Sequence, residues 1–216
     1  MVSLAEKMAA NLDMSAFGKA EELKKRLWFT VLALIVFRLG TFIPLPGIDP
    51  KILADIFSRN SNGILGMFNM FAGGALERMT IFALNIMPYI SASIILQLGQ
   101  SVVPSLAALK KEGEAGHRKI VHYTKVLTVL ITIIQGYGIA VGLEGMVGSA
   151  GLSAVVMPGF VFKFTTIVSL VGGTMFIVWL GDQITSRGVG NGSSLIITVG
   201  IIANIPTALA QTFELG

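Results

Sequence analysis

Cysteine is absent from the 216-residue sequence, which excludes disulfides, thiolate metal sites and cysteine nucleophiles in this chain. Charge is also scarce: Asp, Glu, Lys and Arg make up 13% of the residues, whereas soluble domains usually carry about a quarter. Apolar residues make up 53%, and the mean hydropathy is +0.77. A surface so poor in charge suits lipid better than water, and the composition therefore predicts an integral membrane protein.

Motifs for catalysis and for cofactor binding are absent as well. The sequence contains no phosphate-binding loop of the Walker type and no His-Glu-x-x-His pair. A glycine-rich stretch runs from Gly188 to Gly192, but it opens an apolar segment and lacks a following lysine, so we interpret it as a tight turn. The two histidines, His117 and His122, lie among charged neighbours and are too isolated for a metal site. We expect no enzymatic activity, no cofactor and no metal.

Five apolar segments come close to the roughly 20 residues that a helix needs to cross the hydrocarbon of a membrane. They are residues 27–43, 81–103, 126–143, 160–180 and 189–209. We expect each to be helical, because unpaired backbone groups are too costly in lipid. The polar residues 1–26 precede them and lack the apolar core of a cleavable signal peptide. Within this tail, residues 15–26 predict a short amphipathic helix at the lipid headgroups.

Lysine and arginine alternate in density from one connection to the next. The dense groups are Lys24, Lys25, Arg26, Lys110, Lys111, Arg118, Lys119, Lys125 and Arg187, and the sparse connections carry Lys51, Arg59 and Lys163. Because basic residues accumulate on the cytoplasmic side, we expect a cytoplasmic N-terminus and, after five spans, Gly216 outside. This placement explains the net charge of +4 without nucleic-acid binding.

The stretch from Gly63 to Thr80 departs from a plain helical bundle. It is apolar enough to enter the membrane, but it holds Asn69, the pair Gly73-Gly74 and the charged pair Glu77-Arg78. Joined to the next apolar segment it would make a helix of about 60 Å, roughly twice the bilayer. The chain must therefore break near the glycine pair. We favour a re-entrant half-helix that dips into a hydrated funnel from outside, and the alternative is a helix lying on the outer headgroups.

Two features inside the predicted spans leave their interpretation open. Ile86 and Ile90 are four residues apart and share a helix face beside Pro88, which we expect to kink the helix. Spacing alone favours ordinary packing for these isoleucines over a functional role. Arg38 lies well inside the first apolar segment, where a charge is costly. It either reaches outward to the headgroups or faces a hydrated interior.

Several stretches, in this order and spacing, resemble the bacterial SecY family. They are FRLGTFIPLPGID at 37–49, MFNMFAGGAL at 67–76, IMPYISASI at 86–94, KKEGE at 110–114 and WLGDQITSRGVGNG at 179–192. The resemblance covers nearly the whole chain past the N-terminal tail. Each motif alone is modest evidence, but the set is highly specific.

The resemblance implies an all-α, pseudo-symmetric channel of ten helices, of which residues 27–216 supply the first half of five. The segment 63–76 corresponds to a plug that seals the outer funnel, formed by Gly63, Ile64, Met67, Phe68, Asn69, Met70, Phe71, Gly73 and Gly74. Ile86, Ile90 and Ile197 match positions of an apolar pore ring, and the fourth position is Ser193. A hydroxyl there departs from the family's pattern and would weaken a dry constriction.

The resemblance also implies partners and a location. The partners are the SecE and SecG subunits, the SecA motor, the ribosome, the secretory polypeptide and membrane lipid, in the bacterial cytoplasmic (inner) membrane. A secondary contact face for the ribosome or motor would consist of Lys110, Lys111, Arg118 and Lys119. We expect the chain not to translocate alone. Two other classes stay open: half of a secondary transporter, which also has a broken helix, and a non-conducting assembly protein.

Overall fold

The computed structural model describes residues 15–59, 62–148 and 151–215, and these stretches are helical with irregular connections. Their helices are α1 (Ser15–Gly40), α2 (Pro50–Arg59), α3 (Ile64–Phe71), α4 (Met87–Val102), α5 (Pro104–Lys111), α6 (Glu114–Gly145), α7 (Phe160–Arg187), α8 (Gly192–Ile202) and α9 (Ile205–Leu215). The described residues contain no β-strand, only isolated bridges such as that between Pro44 and Thr80. The predicted all-α fold is confirmed.

Two helices in the described part of the chain, α6 and α7, are long and apolar enough to cross a membrane. The helices α4 and α5 pass the same test together, but they meet at an angle of 98° where Pro104 begins α5. Helix α8 is apolar but has only 11 residues. Of the five predicted segments, residues 126–143 and 160–180 therefore lie within single helices of spanning length. The chain is a multi-pass membrane protein, as its composition predicts.

The first predicted segment belongs to a longer helix than expected. Helix α1 continues without interruption through the predicted amphipathic helix and into the apolar segment. Thr30 accepts a hydrogen bond from the backbone N–H of Val189 at 3.0 Å, and Arg26 donates to the carbonyl of Gly188 at 3.4 Å. These bonds join the middle of α1 to the connection between α7 and α8. Residues 1–14 of the predicted tail lie outside the described residues.

The prediction of one helix over residues 81–103 is wrong at its start. Residues 81–86 form turns, and α4 begins only at Met87. Asn85 has a left-handed backbone with φ of 52°, which is incompatible with a continuing α-helix. Pro88 lies in the first turn of α4, where its missing N–H costs no helical hydrogen bond. It therefore begins the helix and does not kink it, contrary to expectation.

The turns that precede α4 run between α1 and α7. Phe82 stacks between Phe37 and Phe176, with ring centroids 5.8 and 5.9 Å apart and interplanar angles of 8° and 9°. A Cβ at Gly40 would overlap the ring of Phe82, and one at Gly173 would overlap the backbone of the turns. The missing side chains at these two glycines therefore make room for irregular backbone in the core.

Helices α6 and α7 pack against each other through small residues. One face of α6 presents buried residues every fourth position: Thr124, Thr128, Thr132, Gly136 and Ala140. The threonine hydroxyls donate to carbonyls one turn earlier, so their polar groups are satisfied within the helix. Ion pairs connect the two helices near both ends of the contact, Lys125 to Asp182 at 2.9 Å and Lys163 to Glu144 at 3.2 Å.

Two further expectations are corrected. The basic connection before residue 126, which we expect to be a charged loop over residues 110–125, belongs mostly to α5 and α6, and only Glu112 and Gly113 separate these helices. Residues 189–209, expected as one span, hold α8 and the start of α9, with a break at residues 203–204. A proline is tolerated in the first turn of a helix, and Pro206 is the second residue of α9. The proline therefore restarts a helix here and does not lie inside one.

We expect Gly173→Ala to destabilise the protein, because the new Cβ would overlap the carbonyl of Ile81, which is backbone and cannot rotate away. Overpacking of this kind costs about 1–3 kcal/mol. The matched control is Gly172→Ala, where the new Cβ meets no atom within 4 Å. Thermal unfolding of the full-length protein in detergent should show a lower Tm for Gly173→Ala alone, and equal Tm values for both variants would contradict this packing.

Candidate functional site

Helix α3 is a half-helix with an exposed apolar surface. It has eight residues, or about 12 Å at the usual rise, and cannot cross a bilayer. Its exposed side chains are those of Ile64, Met67, Phe68 and Met70, with Phe71 less exposed. An apolar half-helix that leaves most of its side chains uncovered in this chain is positioned mainly by contacts at its end.

The chain breaks directly after α3, at the glycine pair that the sequence predicts. Gly73 and Gly74 have φ of 62° and 79°, a left-handed conformation that favours glycine. Asn69 closes the turn: its amide donates to the Glu77 carboxylate at 3.0 Å, and its side-chain oxygen accepts from the Glu77 N–H at 2.8 Å. The break reverses the chain so that residues 80–86 can enter the space between α1 and α7.

Four side chains bind carbonyls at the C-terminal end of α3 and in the turn directly after it. Gly73 O accepts from Arg38 at 2.7 Å and from Arg78 at 3.2 Å, Phe71 O accepts from Asn85 at 3.0 Å, and Met70 O accepts from Asn204 at 3.1 Å. The donors come from α1, from the turns before α4 and from the break between α8 and α9. Arg38 is half-buried and binds the backbone of the turn that follows the half-helix.

The two guanidinium groups lie on the same aromatic ring. The Cζ atoms of Arg38 and Arg78 are 5.5 and 4.3 Å from the centroid of Phe42, within the range of a cation–π contact. Arg78 also donates to the carbonyl of Thr41 at 3.0 Å. Burial first, and then the positive charge of Arg38, lower the pKa of Arg78, while Glu77 raises it.

Carbonyl oxygens are the negative partners of these two arginines. Among the described residues neither Arg38 nor Arg78 forms an ion pair with a carboxylate. Gly73 lies two residues past the end of α3, in the left-handed turn, and its carbonyl oxygen accepts from both arginines.

Helix α8 approaches the end of α3 at a glycine. A Cβ on Gly200 would lie 2.7 Å from the carbonyl oxygen of Phe71, and one on Gly73 would lie 3.1 Å from the Cα of Gly200. The two backbones are therefore in direct contact. Any side chain larger than hydrogen at Gly200 would push the half-helix away from α8.

Three of the four predicted pore-ring residues meet at one apolar cluster. Ile86 is completely buried in a core that also contains Ala72 and Ile196, and Ile90 and Ile197 pack against it while partly exposed. The structure thus brings these isoleucines together, although Ile86 is covered in this conformation. Their role in a pore stays a prediction.

Ser193, the fourth ring position, lies one helical turn before Ile197 and is half-buried. Its hydroxyl oxygen is 3.6 Å from the point that a Cβ at Gly181 would occupy. The start of α8 therefore packs closely on α7 at Ser193, and the place of this residue in a ring also stays a prediction.

An apolar cavity of about 440 Å³ separates α3 from α6. Leu76, Asn85, Gln135 and Met146 contribute to its lining. The Asn85 side-chain oxygen is buried and has no hydrogen-bond partner among the described residues, although its amide binds Phe71 O. The half-helix is therefore loosely packed on the side that faces α6.

The predicted cytoplasmic contact residues lie around the connection between α5 and α6. Lys110 and Lys111 end α5 and are exposed, whereas Arg118 pairs with Glu114 at 2.8 Å and Lys119 with Glu112 at 3.2 Å. Ion pairs on an exposed surface contribute little to stability, so all four cations remain available to a partner.

Sequence reasoning missed two residues of this site. Asn204 and Gly200 are ordinary in the sequence, and the available signal was an asparagine inside a long apolar run, directly before Ile205 and Pro206. Their importance comes from a contact with α3 across more than 120 residues of chain, which local patterns do not reveal.

Comparison with known sequences gives a family match. The SecY family model matches residues 80–216, more than half of the chain. The protein translocase subunit SecY of Buchnera aphidicola subsp. Acyrthosiphon kondoi is 58% identical over 200 residues, which are 93% of this chain and 56% of that protein. The Escherichia coli (strain K12) subunit is also 58% identical, over 93% of this chain and 45% of that protein.

A more distant relative and two solved structures agree with this match. The Rickettsia bellii (strain RML369-C) SecY subunit is 54% identical over 91% of this chain and 45% of that protein. The chain thus spans about half the length of the curated relatives it matches. "The structure of a protein conducting channel" and "Sec61 in the Canine ribosome-channel complex from the endoplasmic reticulum" each match with a TM-score of 0.58 at 20% identity, over 85% of this chain and 37% of theirs. These two structures share its fold.

We expect Gly200→Ala to loosen α3, because the new Cβ would lie 2.7 Å from the carbonyl oxygen of Phe71. Hydrogen exchange of the full-length protein, read by mass spectrometry, should show faster exchange of the amides in Ile64–Phe71. Gly138→Ala is the control, since a Cβ there meets nothing within 4 Å. Unchanged exchange in Gly200→Ala would show that the half-helix is not held against α8.

Proposed function

The chain belongs to the SecY family, and on that premise we propose that it forms one half of the wall of a protein-conducting channel. The channel passes secretory polypeptides across the bacterial cytoplasmic membrane and releases membrane segments sideways into the lipid. The observation that carries the proposal is the half-helix α3, which enters the apolar helices, stops at Gly73 and Gly74 and returns. Such backbone at membrane depth is tolerated only where it is buried in protein or lines a cavity.

In this proposal the plug is the segment 63–76, which consists of α3 and the glycine turn after it, and Ile86, Ile90, Ser193 and Ile197 belong to the pore ring. The exposed Met and Phe side chains of α3 support the plug assignment, because flexible apolar surfaces can pack, separate and pack again. The cluster shared by the three isoleucines supports the ring assignment. Aliphatic side chains grip a passing chain loosely and offer ions no polar path.

The transporter alternative is less well supported by the same site. A transporter uses a broken helix to hold a solute with free polar groups at the break. Here Arg38, Arg78, Asn85 and Asn204 all donate to carbonyls of the chain itself. These side chains therefore already have partners within the chain, which supports a structural role better than the binding of a solute.

The orientation and the partners belong to the same proposal. The basic residues around α5 and α6, including Lys110, Lys111, Arg118 and Lys119, would lie on the cytoplasmic side together with the N-terminus. There they would offer a secondary contact to the ribosome or to the SecA motor, while the SecE and SecG subunits and lipid surround the helices. The chain itself would catalyse no reaction, and the energy for transport would come from the partner.

The test is cross-linking of the full-length protein to a stalled secretory polypeptide. Single cysteines replace, one at a time, Ile86, Ile90, Ser193 and Ile197. We expect adducts at all four positions, and the weakest at Ile86, which is fully buried in this conformation.

The controls for this experiment are two further isoleucines. Ile35 is exposed on α1 and Ile177 is buried in α7, and neither is assigned to the pore, so cysteines at both should stay silent. Adducts at Ile35 and Ile177 but not at Ile90 or Ile197 would remove the pore assignment and favour the transporter or assembly alternatives.

A further inference from the structure

We propose that the plug is held in place by a latch, defined as the four side chains that bind carbonyls at the C-terminal end of α3 and in the turn after it: Arg38, Arg78, Asn85 and Asn204. The latch positions the plug from three separate parts of the chain and sets how readily it leaves. This inference rests on the proposed function, in which residues 63–76 are the plug.

Binding is strongest in the turn directly after α3. Gly73 has a left-handed backbone there and lies outside the helix. Gly73 O accepts from both Arg38 and Arg78, at 2.7 and 3.2 Å. Hydrogen bonds from charged donors are stronger than those from neutral ones, so the two arginines dominate the latch.

The rest of the half-helix is held less firmly. Most of its apolar side chains are exposed in this half of the channel, and an apolar cavity of about 440 Å³ lies on the side of α6. The N-cap residue of α3 is Gly63, so no side chain caps the first turn of the helix. A half-helix tethered mainly at one end can leave as a unit when that end is released.

The repulsion between the two like charges does not change when the plug moves. Arg78 is anchored to the carbonyl of Thr41 at 3.0 Å, and Thr41 follows Arg38 closely on the segment that ends α1. Neither α1, which carries Arg38, nor the Thr41 carbonyl that holds Arg78 belongs to the plug. The repulsion between the guanidinium groups is therefore present whether the plug is seated or displaced. The bonds to Gly73 exist only in the seated state. Removing one arginine therefore loosens the plug, even though it also relieves repulsion.

The experiment measures how often the end of the plug becomes accessible. Ala72 directly follows α3 and is 4% exposed, so a cysteine there reacts with a membrane-impermeant maleimide only when the plug moves. In the full-length protein, with Ala72→Cys as the single cysteine, we expect Arg38→Gln to raise the labelling rate about tenfold, the effect of losing one hydrogen bond to a charged group. Asn204→Ala, which removes a neutral donor, should raise it less.

Two controls separate the latch from general destabilisation. Arg59→Gln removes an arginine that pairs with Asp55 on α2 and should leave the labelling of Ala72→Cys unchanged. Ala140→Cys reports on a fully buried site between α6 and α7 and should stay unreactive in every variant. If Arg38→Gln raises labelling at Ala140→Cys as much as at Ala72→Cys, the arginine stabilises the whole fold and the latch is wrong.

The remaining outcomes also decide the question. Unchanged labelling of Ala72→Cys in both Arg38→Gln and Asn204→Ala overturns the latch, and should Arg38→Gln not reach the membrane, Asn204→Ala alone decides. Labelling needs no secretory polypeptide, so it is independent of the cross-linking test. Cross-links at Ile90 with unchanged labelling leave the channel standing without the latch, whereas faster labelling without cross-links leaves a mobile half-helix in a protein of another function.

Discussion

Irregular backbone in apolar surroundings must form its hydrogen bonds within the protein, and the rest of this structure depends on that constraint. From residue 72 to residue 86 the chain is not helical, yet this stretch holds several of the most buried residues, including Ala75, Phe82 and Ile86. Peptide groups buried without water must find partners within the protein. They find them in the Arg38 side chain of α1 and in one another, as when the Thr80 hydroxyl accepts from the N–H of Phe82 at 3.3 Å. The apolar helices surround this stretch, and polar residues form hydrogen bonds with its backbone.

Helix α1 connects the core to the half-helix through two adjacent residues. Phe37 stacks on Phe82 in the core, and Arg38 binds the carbonyl of Gly73 at the end of α3. The side chains of consecutive helix residues point about 100° apart. One helix can therefore make both contacts only if the non-helical turns before α4 wrap closely around it. The close packing at Gly40 allows this, because its missing side chain admits the ring of Phe82. A shift of α1 would therefore disturb the core and the half-helix together.

Structural features that depend on neighbouring residues in the sequence were predictable, and features that depend on long-range contacts were not. The apolar runs of α6 and α7 and the break at Gly73 follow from hydropathy and from glycine, and the structure contains all three. The turns at residues 81–86 were missed because their residues are as apolar as those of a span, and only the packing of Phe82 between two helices shows why they stay irregular. The partner of Arg38 was missed for the same reason, since Gly73 O lies 35 residues away.

If the proposed function holds, the pore ring and the plug of the channel pack in the same apolar cluster. Ile86 is buried in the same cluster as Ala72, the residue that follows the half-helix. A plug that moves would take part of this cluster with it and uncover Ile86, so the ring would change from a packed core to an open surface in the same step. Ile90 and Ile197 are already partly exposed and would change less. A serine at position 193 is then tolerable. The seated half-helix and the packed isoleucines close the pore, so the seal depends less on the side chain at that position.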